Sequence, residues 1–316
     1  MKKKTIISLV IATILVILIS GLGFVGNYFY NLALNPDTPK DMIFGTPEEQ
    51  ENTSGQVLDT DIDWLLNSSN YSDEYITSFD GLKLHAYKVI NKTPSNKWAI
   101  TVHGYTSEGL NMSSYAKKYY DMGYNILIPD LRGHASSEGD YIGMGWDDRL
   151  DIISWINSII KNDKNAEIVL HGVSMGAATV TMASGEDLPN NVKAIIADCG
   201  YTSVWDEFAY QLKALFSLPE FPILDASNII TKLRAGYNLK DGSCIDQVKK
   251  STTPILYIHG DKDDFVPYYM MKELYDATNS EKEMLTIKDA EHAKSSEVDP
   301  KTYWTTIYNF TNKYVK

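Results

Sequence analysis

The sequence has little cysteine and little positive charge. Only Cys199 and Cys244 occur among 316 residues, too few for a disulfide framework, and no Cys-x-x-Cys spacing predicts a zinc site. A single bridge between these two cysteines is left open. Lys and Arg number 29 against 41 Asp and Glu, and the formal net charge is −12. Because nucleic-acid binding requires clustered positive charge, the composition argues against a nucleic-acid partner.

A long apolar run stands at the N-terminus. Three lysines at residues 2–4 precede the uncharged residues 5–30, and the apolar residues 6–26 are enough to cross a bilayer as a helix. The positive-inside rule places the lysines in the cytoplasm, and the aromatic residues 28–30 are typical of the membrane interface beyond the span. The sequence therefore predicts a single-pass anchor in the cell membrane over residues 1–30, with the rest of the chain outside the cytosol.

A cleaved signal peptide is the alternative interpretation of the same segment. A basic start followed by an apolar stretch also describes secretory signals, and Gly21 and Gly23 form a weak small-x-small cleavage pattern. In that case the protein is secreted. Both interpretations place the main domain outside the cytosol.

Residues 31–70 are expected to form a juxtamembrane linker. Three X-Pro pairs between residues 35 and 47, followed by Glu48, Glu49 and Glu51, are typical of a polar segment without regular structure. Near its end, Asp63-Trp64-Leu65-Leu66 predicts a short helix docked on the domain, because a lone tryptophan in a linker would otherwise be exposed. The main domain is then expected over residues 71–316.

The pattern of this domain predicts an α/β fold. Apolar and polar residues alternate on both sides of Asp80-Gly81, which indicates a β-hairpin. After it, short apolar runs alternate with helical patterns, and this indicates a mostly parallel sheet with helices on both faces. The strands are expected at residues 98–102, 125–129, 167–170, 194–197, 255–258 and 284–287. The helices are expected at about 112–122, 146–162, 176–184, 268–278 and 299–314.

Residues 203–250 break this alternation. Pro219, Pro222 and Gly236 divide them into several amphipathic pieces, so they are expected to form a helical lid inserted after the strand at 194–197. Apolar side chains in the lid favour an apolar acyl substrate, or else they only seat the lid on the domain. These side chains are Trp205, Phe208, Tyr210, Leu212, Leu215, Phe216, Leu218, Phe221 and Leu224.

Residues 171–176, His-Gly-Val-Ser-Met-Gly, lie between an apolar strand and a small-residue helix. This arrangement is typical of a nucleophile elbow, in which glycines two before and two after Ser174 let the strand and helix pass closely. The pattern arises by chance in about one chain in ten of this composition. Because a neutral serine is a poor nucleophile, a histidine and an acid must accompany Ser174.

One of the six histidines is the best candidate for the general base. His292 lies in a polar loop, residues 289–293, after the last expected strand, where ligands of open α/β sheets bind. The others are expected to be structural, because three precede glycines at strand ends, one lies in the hairpin and one in a loop that its neighbours shape. They are His103, His171, His259, His85 and His134.

Five short segments of the sequence follow one another in an order that is typical of one large protein family. They are His103-Gly104-Tyr105, Asp130-x-Arg132-Gly133-His134-x-x-Ser137-x-Gly139, the elbow, His259-Gly260-x-x-Asp263-x-x-Val266-Pro267 and the loop of His292. Over residues 72–316 the chain resembles the membrane-anchored or secreted bacterial α/β-hydrolases of the serine esterase and acylaminoacyl-peptidase-like group. Ala135, where relatives often carry a second glycine, departs from the pattern in a loop that is not catalytic.

Three aspartates compete to be the catalytic acid after the strand at 255–258. Asp261, Asp263 and Asp264 all lie within reach of that strand end, and spacing alone does not choose among them. The resemblance implies Asp263, with the other two as turn and surface residues. The order Ser174, Asp263, His292 is then the order of the α/β-hydrolase fold.

An oxyanion hole needs two backbone N–H donors. One is expected from Met175, directly after the nucleophile, and the other from Tyr105 in the loop after the strand at 98–102. The Tyr105 side chain either walls the acyl pocket or is a packed aromatic residue, and its amide can donate in both cases.

Together these features predict a serine hydrolase that cleaves small-molecule carboxylic esters with an apolar acyl group. No metal or organic cofactor is implied. Three alternatives stay open: a serine peptidase or aminopeptidase-like amidase, a thioesterase or acyltransferase on the same triad, and a catalytically silent, membrane-tethered binding protein. The sequence does not indicate an oligomeric state.

Overall fold

An eight-stranded sheet forms the centre of the protein. The computed structural model describes residues 2–44 and 59–316, and residues 46–51 of the expected linker lie outside this part of the chain. The strand order is β1-β2-β4-β3-β5-β6-β7-β8. The strands are β1 (Ser72–Thr77), β2 (Lys83–Val89), β3 (Lys97–Val102), β4 (Asn125–Pro129), β5 (Glu167–Val173), β6 (Val192–Asp198), β7 (Ile255–Gly260) and β8 (Lys282–Ile287).

The strands β3 to β8 all run parallel, while β1 and β2 form an antiparallel hairpin joined to the edge of β4. The six strands and the hairpin expected from the sequence are therefore confirmed. Neighbouring residues of a strand point to opposite faces, so Ile168 and Leu170 belong to one core cluster and Val169 to another. Helices must cover both faces, which explains why these strands are apolar throughout.

The helices follow the expected positions closely. They are α1 (Lys2–Leu34), α2 (Asp41–Phe44), α3 (Asp59–Asp63), α4 (Ser113–Asp121), α5 (Asp148–Asn162), α6 (Met175–Ala183), α7 (Val204–Phe216), α8 (Glu220–Arg234), α9 (Cys244–Val248), α10 (Tyr269–Ala277), α11 (Ser295–Val298) and α12 (Pro300–Tyr314). The short docked helix is confirmed as α3 and the π-helical turn Trp64–Ser68 that follows it. Leu65 is fully buried there, and Trp64 packs on Tyr120 with ring centres 5.2 Å apart.

The expected lid consists of α7, α8 and α9, which lie between β6 and β7. Ser203 caps α7 by accepting a hydrogen bond from the Asp206 amide, and Ser243 caps α9 in the same way through Asp246. Such caps satisfy amides that a helix start leaves free. The insertion therefore has ordered helices and stands at the carboxyl ends of the parallel strands, the edge where ligands bind in open α/β sheets.

Helix α1 is long and apolar enough to be a membrane anchor or a signal helix. It spans 33 residues, or about 50 Å at 1.5 Å per residue. The side chains of residues 3–22 are exposed, whereas from Gly26 onward the helix packs against α8. Tyr30 is only 2% exposed. It lies in the domain core and not in the interfacial belt expected for it, because the last turns of α1 dock on the lid.

Lys40 ties the chain after α1 back to that helix. Its Nζ donates hydrogen bonds to the carbonyl oxygens of Leu32 and Asn35, both at 2.7 Å. A cation satisfies carbonyl groups that the end of a helix leaves free. Burial lowers the pKa of Lys40 to about 8. The following helix α2 is thereby held over the carboxyl edge of the sheet, where Phe44 stacks on Phe265 with ring centres 5.3 Å apart.

Candidate active site

Ser174 stands at a sharp turn between β5 and α6. Its φ of 56° and ψ of −118° are unfavourable for a residue with a side chain. A Cβ at Gly172 would lie 2.1 Å from the Gly176 carbonyl oxygen, and one at Gly176 would lie 2.1 Å from the Val102 carbonyl oxygen. Both positions therefore require glycine. The strained turn raises the Ser174 side chain out of the sheet at the start of a helix.

The structure brings Ser174, His292 and Asp263 into one hydrogen-bonded chain. His292 Nε2 lies 2.9 Å from Ser174 Oγ, and His292 Nδ1 lies 2.7 Å from Asp263 Oδ2. Ser174 is buried after β5, Asp263 follows β7, and His292 follows β8. All three stand at the carboxyl ends of neighbouring or nearby parallel strands. The distances suit proton transfer from the serine hydroxyl to the imidazole.

Asp263 is held as a carboxylate. Its Oδ1 accepts hydrogen bonds from the amides of Phe265 and Val266 at 3.0 and 2.9 Å. Burial by itself would raise the pKa of Asp263, but the hydrogen bonds with His259 and His292 outweigh it and lower the pKa to about 2. The side chain is therefore ionised throughout the neutral pH range and can orient His292.

His259 has a position that the sequence did not reveal. It is buried at the end of β7, and its Nε2 lies 3.0 Å from Asp263 Oδ2 and 2.9 Å from the Val266 carbonyl oxygen. It thus anchors the loop that carries Asp263. In the sequence, this role is reflected in the position of His259 four residues before Asp263. That spacing indicates a contact only if the loop turns back toward β7.

The competing residues lie elsewhere. Asp261 Oδ1 accepts a hydrogen bond from the Asp289 amide at 2.6 Å, and the Asp264 carbonyl oxygen accepts one from the Tyr210 hydroxyl at 2.9 Å. The remaining histidines are hydrogen-bonded to residues other than Ser174 and Asp263: His85 to Asp73 and Asp130, His103 to Gly104 and Leu131, His134 to Arg132, and His171 to Tyr119 and Tyr303.

Two backbone amides stand free near the serine. Within residues 2–44 and 59–316, neither the Tyr105 amide nor the Met175 amide donates to an acceptor. Met175 is the first residue of α6, and Gly104 is so close that a Cβ there would lie 3.3 Å from Ser174 Cβ. The start of α6 and the loop after β3 therefore both lie beside Ser174, and the assignment of their two amides to an oxyanion hole stays a prediction. The Tyr105 hydroxyl donates to the Ala33 carbonyl oxygen at 2.6 Å.

A cavity extends from Ser174 beneath the lid. Its lining is almost entirely apolar and comes from the end of α1, from α2, from the lid helices and from the loops around Ser174. The residues that line it include Phe29, Leu32, Ala33, Ile43, Tyr105, Met144, Phe208, Leu212, Leu215, Phe216, Ile223, Leu224, Phe265 and Val266. Five of the lid side chains singled out in the sequence are thus cavity walls, namely Phe208, Leu212, Leu215, Phe216 and Leu224. Three of them are packing residues as well, since Phe208 and Leu224 lie against the core and Leu212 is buried.

One acidic residue, Glu207, lines this apolar cavity. Its side chain is 3% exposed. Glu207 Oε1 accepts a hydrogen bond from Gln211 Nε2 at 2.9 Å, while Oε2 has no partner in the described part of the chain. Burial raises the pKa of Glu207 to about 8, so it is largely protonated at neutral pH. A protonated carboxyl group is compatible with apolar surroundings, whereas the ionised group is not.

This raised pKa predicts a pH-dependent stability. In the unfolded chain Glu207 loses its carboxyl proton near the ordinary pKa of glutamate. In the folded chain Glu207 retains this proton up to about pH 8. The free energy of unfolding therefore falls as pH rises across this interval. Glu207→Gln should remove that loss, raising the melting temperature relative to wild type by roughly 2–4 °C more at pH 8 than at pH 5.

The control is Glu273→Gln, which changes an exposed carboxylate on α10. Its melting temperature, measured in detergent, should follow wild type at both pH values. A Glu207→Gln difference that is the same at pH 5 and pH 8 would show that Glu207 is ionised already in the folded protein at the lower pH.

Cys199 lies close to the same three side chains. Its Sγ, a carboxylate oxygen of Asp263 and a ring nitrogen of His292 lie within 4.8 Å of one another. Metal binding at cysteine requires the thiolate, but burial raises the pKa of Cys199 well above its usual range. Both ring nitrogens of His292 also have partners already. The donor set is therefore poorly suited to a metal. Cys199 and Cys244 are both free, buried thiols.

Known proteins resemble this chain in sequence and in fold. The sequence model of the X-Pro dipeptidyl-peptidase (S15 family) matches residues 64–235, which include Ser174 and end before Asp263. YqkD of Bacillus subtilis, an uncharacterised protein, is 32% identical over 238 residues, which cover 74% of this chain and 77% of that protein.

Two solved structures share the fold. An esterase of Pyrococcus furiosus superposes with a TM-score of 0.65 at 23% identity, over 83% of this chain and 96% of that one. An acylaminoacyl peptidase of Pyrococcus horikoshii superposes with a TM-score of 0.60 at 18% identity, over 78% of this chain and 42% of that one. The family match spans more than half of the length of this chain. The chain therefore belongs to the X-Pro dipeptidyl-peptidase (S15) family and is a serine hydrolase of the α/β-hydrolase fold.

Proposed function

We propose that this hydrolase cleaves carboxylic esters with an apolar acyl group, using Ser174 as nucleophile, His292 as general base and acid, and Asp263 to orient His292. The observation that carries the proposal is the hydrogen-bonded chain of these three side chains, in which Ser174 also lines the apolar cavity. The amides of Met175 and Tyr105 supply the oxyanion hole in this proposal.

The chemistry divides into two steps. Ser174 Oγ attacks the ester carbonyl carbon while His292 Nε2 accepts the hydroxyl proton, and the two amides hold the negative oxygen that forms. His292 then gives its proton to the departing alcohol, which leaves an acyl group on Ser174. In the second step His292 takes a proton from water while the water oxygen attacks the acyl carbon. The bond between that carbon and Ser174 Oγ then breaks, His292 returns the proton to Oγ, and the carboxylic acid is released.

Cleavage of an amide bond in peptides is the second candidate, because the matching family is described as a dipeptidyl-peptidase. The same side chains would act, but the departing amine must be protonated as its bond to carbon breaks. The apolar lining of the cavity favours the ester. Thioester cleavage or acyl transfer would use the same covalent intermediate and differ in the second step.

The test uses the full-length chain in detergent micelles. We expect a fluorophosphonate probe to label Ser174, and p-nitrophenyl esters to be hydrolysed with kcat/KM rising with acyl chain length. Aminoacyl and X-Pro anilides serve as amide substrates beside them. Faster cleavage of the anilides would replace the ester assignment by the peptidase, and an unlabelled Ser174 would indicate a silent binding protein.

We also propose that α1 is an uncleaved anchor and that the catalytic domain lies outside the cytosol. The helix runs without a break through Gly21 and Gly23, whereas a signal-peptide cleavage site must be accessible to the peptidase. Its last turns are tied to the domain, since the Leu34 carbonyl oxygen accepts a hydrogen bond from the Ile142 amide at 2.8 Å.

The expected result is that the full-length protein stays in the membrane pellet through high-salt washing, because about 20 apolar residues hold a helix in a bilayer independently of charge. N-terminal sequencing should begin at or next to Met1. A soluble form that begins near Phe24 would instead show that the segment is a signal peptide. Protease added to intact cells should reach the catalytic domain if the proposed orientation holds.

A further inference from the structure

Helix α1 passes directly from its exposed apolar part into the wall of the cavity. A Cβ at Gly26 would lie 2.5 Å from the Ala226 carbonyl oxygen, so the backbones of α1 and α8 touch at this point. Phe29, which lines the cavity, follows only three residues later, or about 5 Å at the helical rise of 1.5 Å per residue. The cavity therefore begins within about one helical turn of the segment that is long and apolar enough to span a bilayer.

The lid helix α8 runs beside α1 in the same direction. Gly26 meets Ala226, and further along both helices Asn31 accepts a hydrogen bond from Arg234 at 2.7 Å. Residues before Ala226 therefore extend toward the apolar part of α1. Ile223, three residues earlier on the same helix, lies about 5 Å further in that direction. The N-terminal half of the lid helix thus reaches the level at which the side chains of α1 are exposed and apolar.

The outer face of α8 is apolar where a soluble domain would be polar. Phe221, Ile229 and Leu233 are 75%, 60% and 76% exposed. Ile229 and Leu233 are four residues apart and lie on one side of the helix, whereas Phe221 stands at the kink where the helix begins. Asp225, four residues before Ile229, lies on the same side and is paired with Lys240 at 3.6 Å. We call the three apolar residues the outer row of α8. Exposed apolar side chains in such a row mark a surface that contacts another apolar phase.

Near the end of α1, part of the cavity wall is exposed at the surface of the protein. Leu215 lines the cavity and is 41% exposed, and Phe29, Phe216 and Ile223 line it and are partly exposed. The rings of Phe29 and Phe216 meet edge to face, with centres 5.2 Å apart. These four residues, which we call the portal, come from the end of α1, the end of α7 and the start of α8. They line the cavity on one side and are partly exposed on the other, so they stand between the cavity and the surface of the protein.

We propose that the outer row of α8 rests in the bilayer beside α1, and that the portal admits the acyl chain of an ester lipid from that leaflet to Ser174. The occupant is a lipid bilayer, because the apolar surface of α8 continues the apolar surface of α1. The proposal rests on the proposed esterase function and names its substrate as a membrane-resident acyl ester. Lys232 and Arg234 at the end of α8 are exposed beside Leu233, where cations meet lipid headgroups.

The first experiment compares a soluble with a membrane-resident ester. Full-length wild type, Ile229→Glu and Leu233→Glu are reconstituted in phosphatidylcholine vesicles. Both variants should hydrolyse p-nitrophenyl butyrate within about twofold of wild type, since neither residue lines the cavity. Both should hydrolyse a long-chain fluorogenic acyl ester embedded in the vesicles about tenfold or more slowly, because a buried charge weakens contact with the bilayer.

Tyr308→Glu is the matched control. It places the same charge on an exposed apolar position of helix α12, near Tyr124 and Glu167 at the start of the parallel strands, the end of the sheet opposite Ser174. It should leave both rates unchanged. Equal rates for wild type and the two α8 variants on the embedded ester would overturn the proposal, while loss of p-nitrophenyl butyrate hydrolysis in wild type would instead overturn the esterase function.

A second measurement detects the contact without using activity. Ile229→Cys and Tyr308→Cys are each labelled with an environment-sensitive fluorophore, which the buried native cysteines should not take up. In vesicles of phosphatidylcholine brominated on its acyl chains, the label at residue 229 should be quenched and the label at residue 308 should not. Equal fluorescence at the two sites with and without bromine would show that the outer row of α8 lies outside the bilayer.

Discussion

Replacing Ser174 with alanine is expected to lower kcat on a p-nitrophenyl ester by about 10⁴- to 10⁶-fold. The loss should be this large because alanine removes the only atom that forms the acyl intermediate, while His292 and Asp263 without Ser174 have no nucleophile to activate. The fold should be retained, since the change removes one oxygen and leaves the backbone turn with a small side chain. The measurement is kcat under single-substrate saturation, accompanied by a melting temperature.

Residual activity is informative in this experiment. In the proposed mechanism the amides of Met175 and Tyr105 and the apolar cavity still bind the ester in the variant, so a rate somewhat above that of the uncatalysed reaction is expected. Fluorophosphonate labelling should be absent. A variant within about tenfold of wild type would exclude Ser174 as nucleophile, whatever the distances around it.

Replacing Asp263 with asparagine is expected to lower kcat by about 10⁴-fold, as the loss of the corresponding acid does in serine proteases. The carboxylate accepts the Nδ1 proton of His292 at 2.7 Å, which leaves Nε2 free to accept the proton of Ser174. An amide nitrogen in its place would favour the opposite tautomer. Because hydrogen bonds hold the pKa of Asp263 near 2 in wild type, the carboxylate is ionised at every ordinary assay pH.

Asp261→Asn and Asp264→Asn are the matched controls, since each makes the same chemical change within two residues. Asp261 contacts the Asp289 amide through its side chain, and Asp264 contacts Tyr210 only through its backbone. Both variants should retain kcat within about threefold of wild type. If Asp264→Asn were the inactive variant instead, the catalytic acid would be Asp264 and not Asp263. Melting temperatures of all three variants separate a catalytic loss from unfolding.

Much of the fold was predictable because each element carries a local signal. The strands β3 to β7 are short apolar runs bounded by polar turns, and the helices between them repeat apolar residues at helical spacing. Gly172 and Gly176 could be assigned to a sharp turn because the clash that a side chain would create is a local one. The roles predicted for Ser174, Asp263 and His292 stay predictions, although the structure brings their side chains within hydrogen-bonding distance.

Contacts between distant segments could not be predicted in this way. Glu207 is one charged residue among many in the sequence, and its burial depends on the packing of α7 over the cavity. His259 supports Asp263 only because the loop after β7 turns back toward its own strand. No periodicity or spacing reports such pairings, since they depend on where separate elements meet.

The sequence by itself determined a mostly parallel α/β sheet, the sharp serine turn, the helical insertion and the apolar N-terminal segment, because residue periodicity, glycine at a crowded turn and the length of an apolar run are local properties. The α/β-hydrolase fold followed from the resemblance of five segments to that family. Only the tertiary structure decided that the end of α1 walls the cavity. The sequence treated residues 1–30 and 31–70 as anchor and linker, yet Tyr30 and Leu34 are core residues. Their burial arises from the packing of α1 on α8, two segments about 200 residues apart whose complementary surfaces exist only in the folded protein.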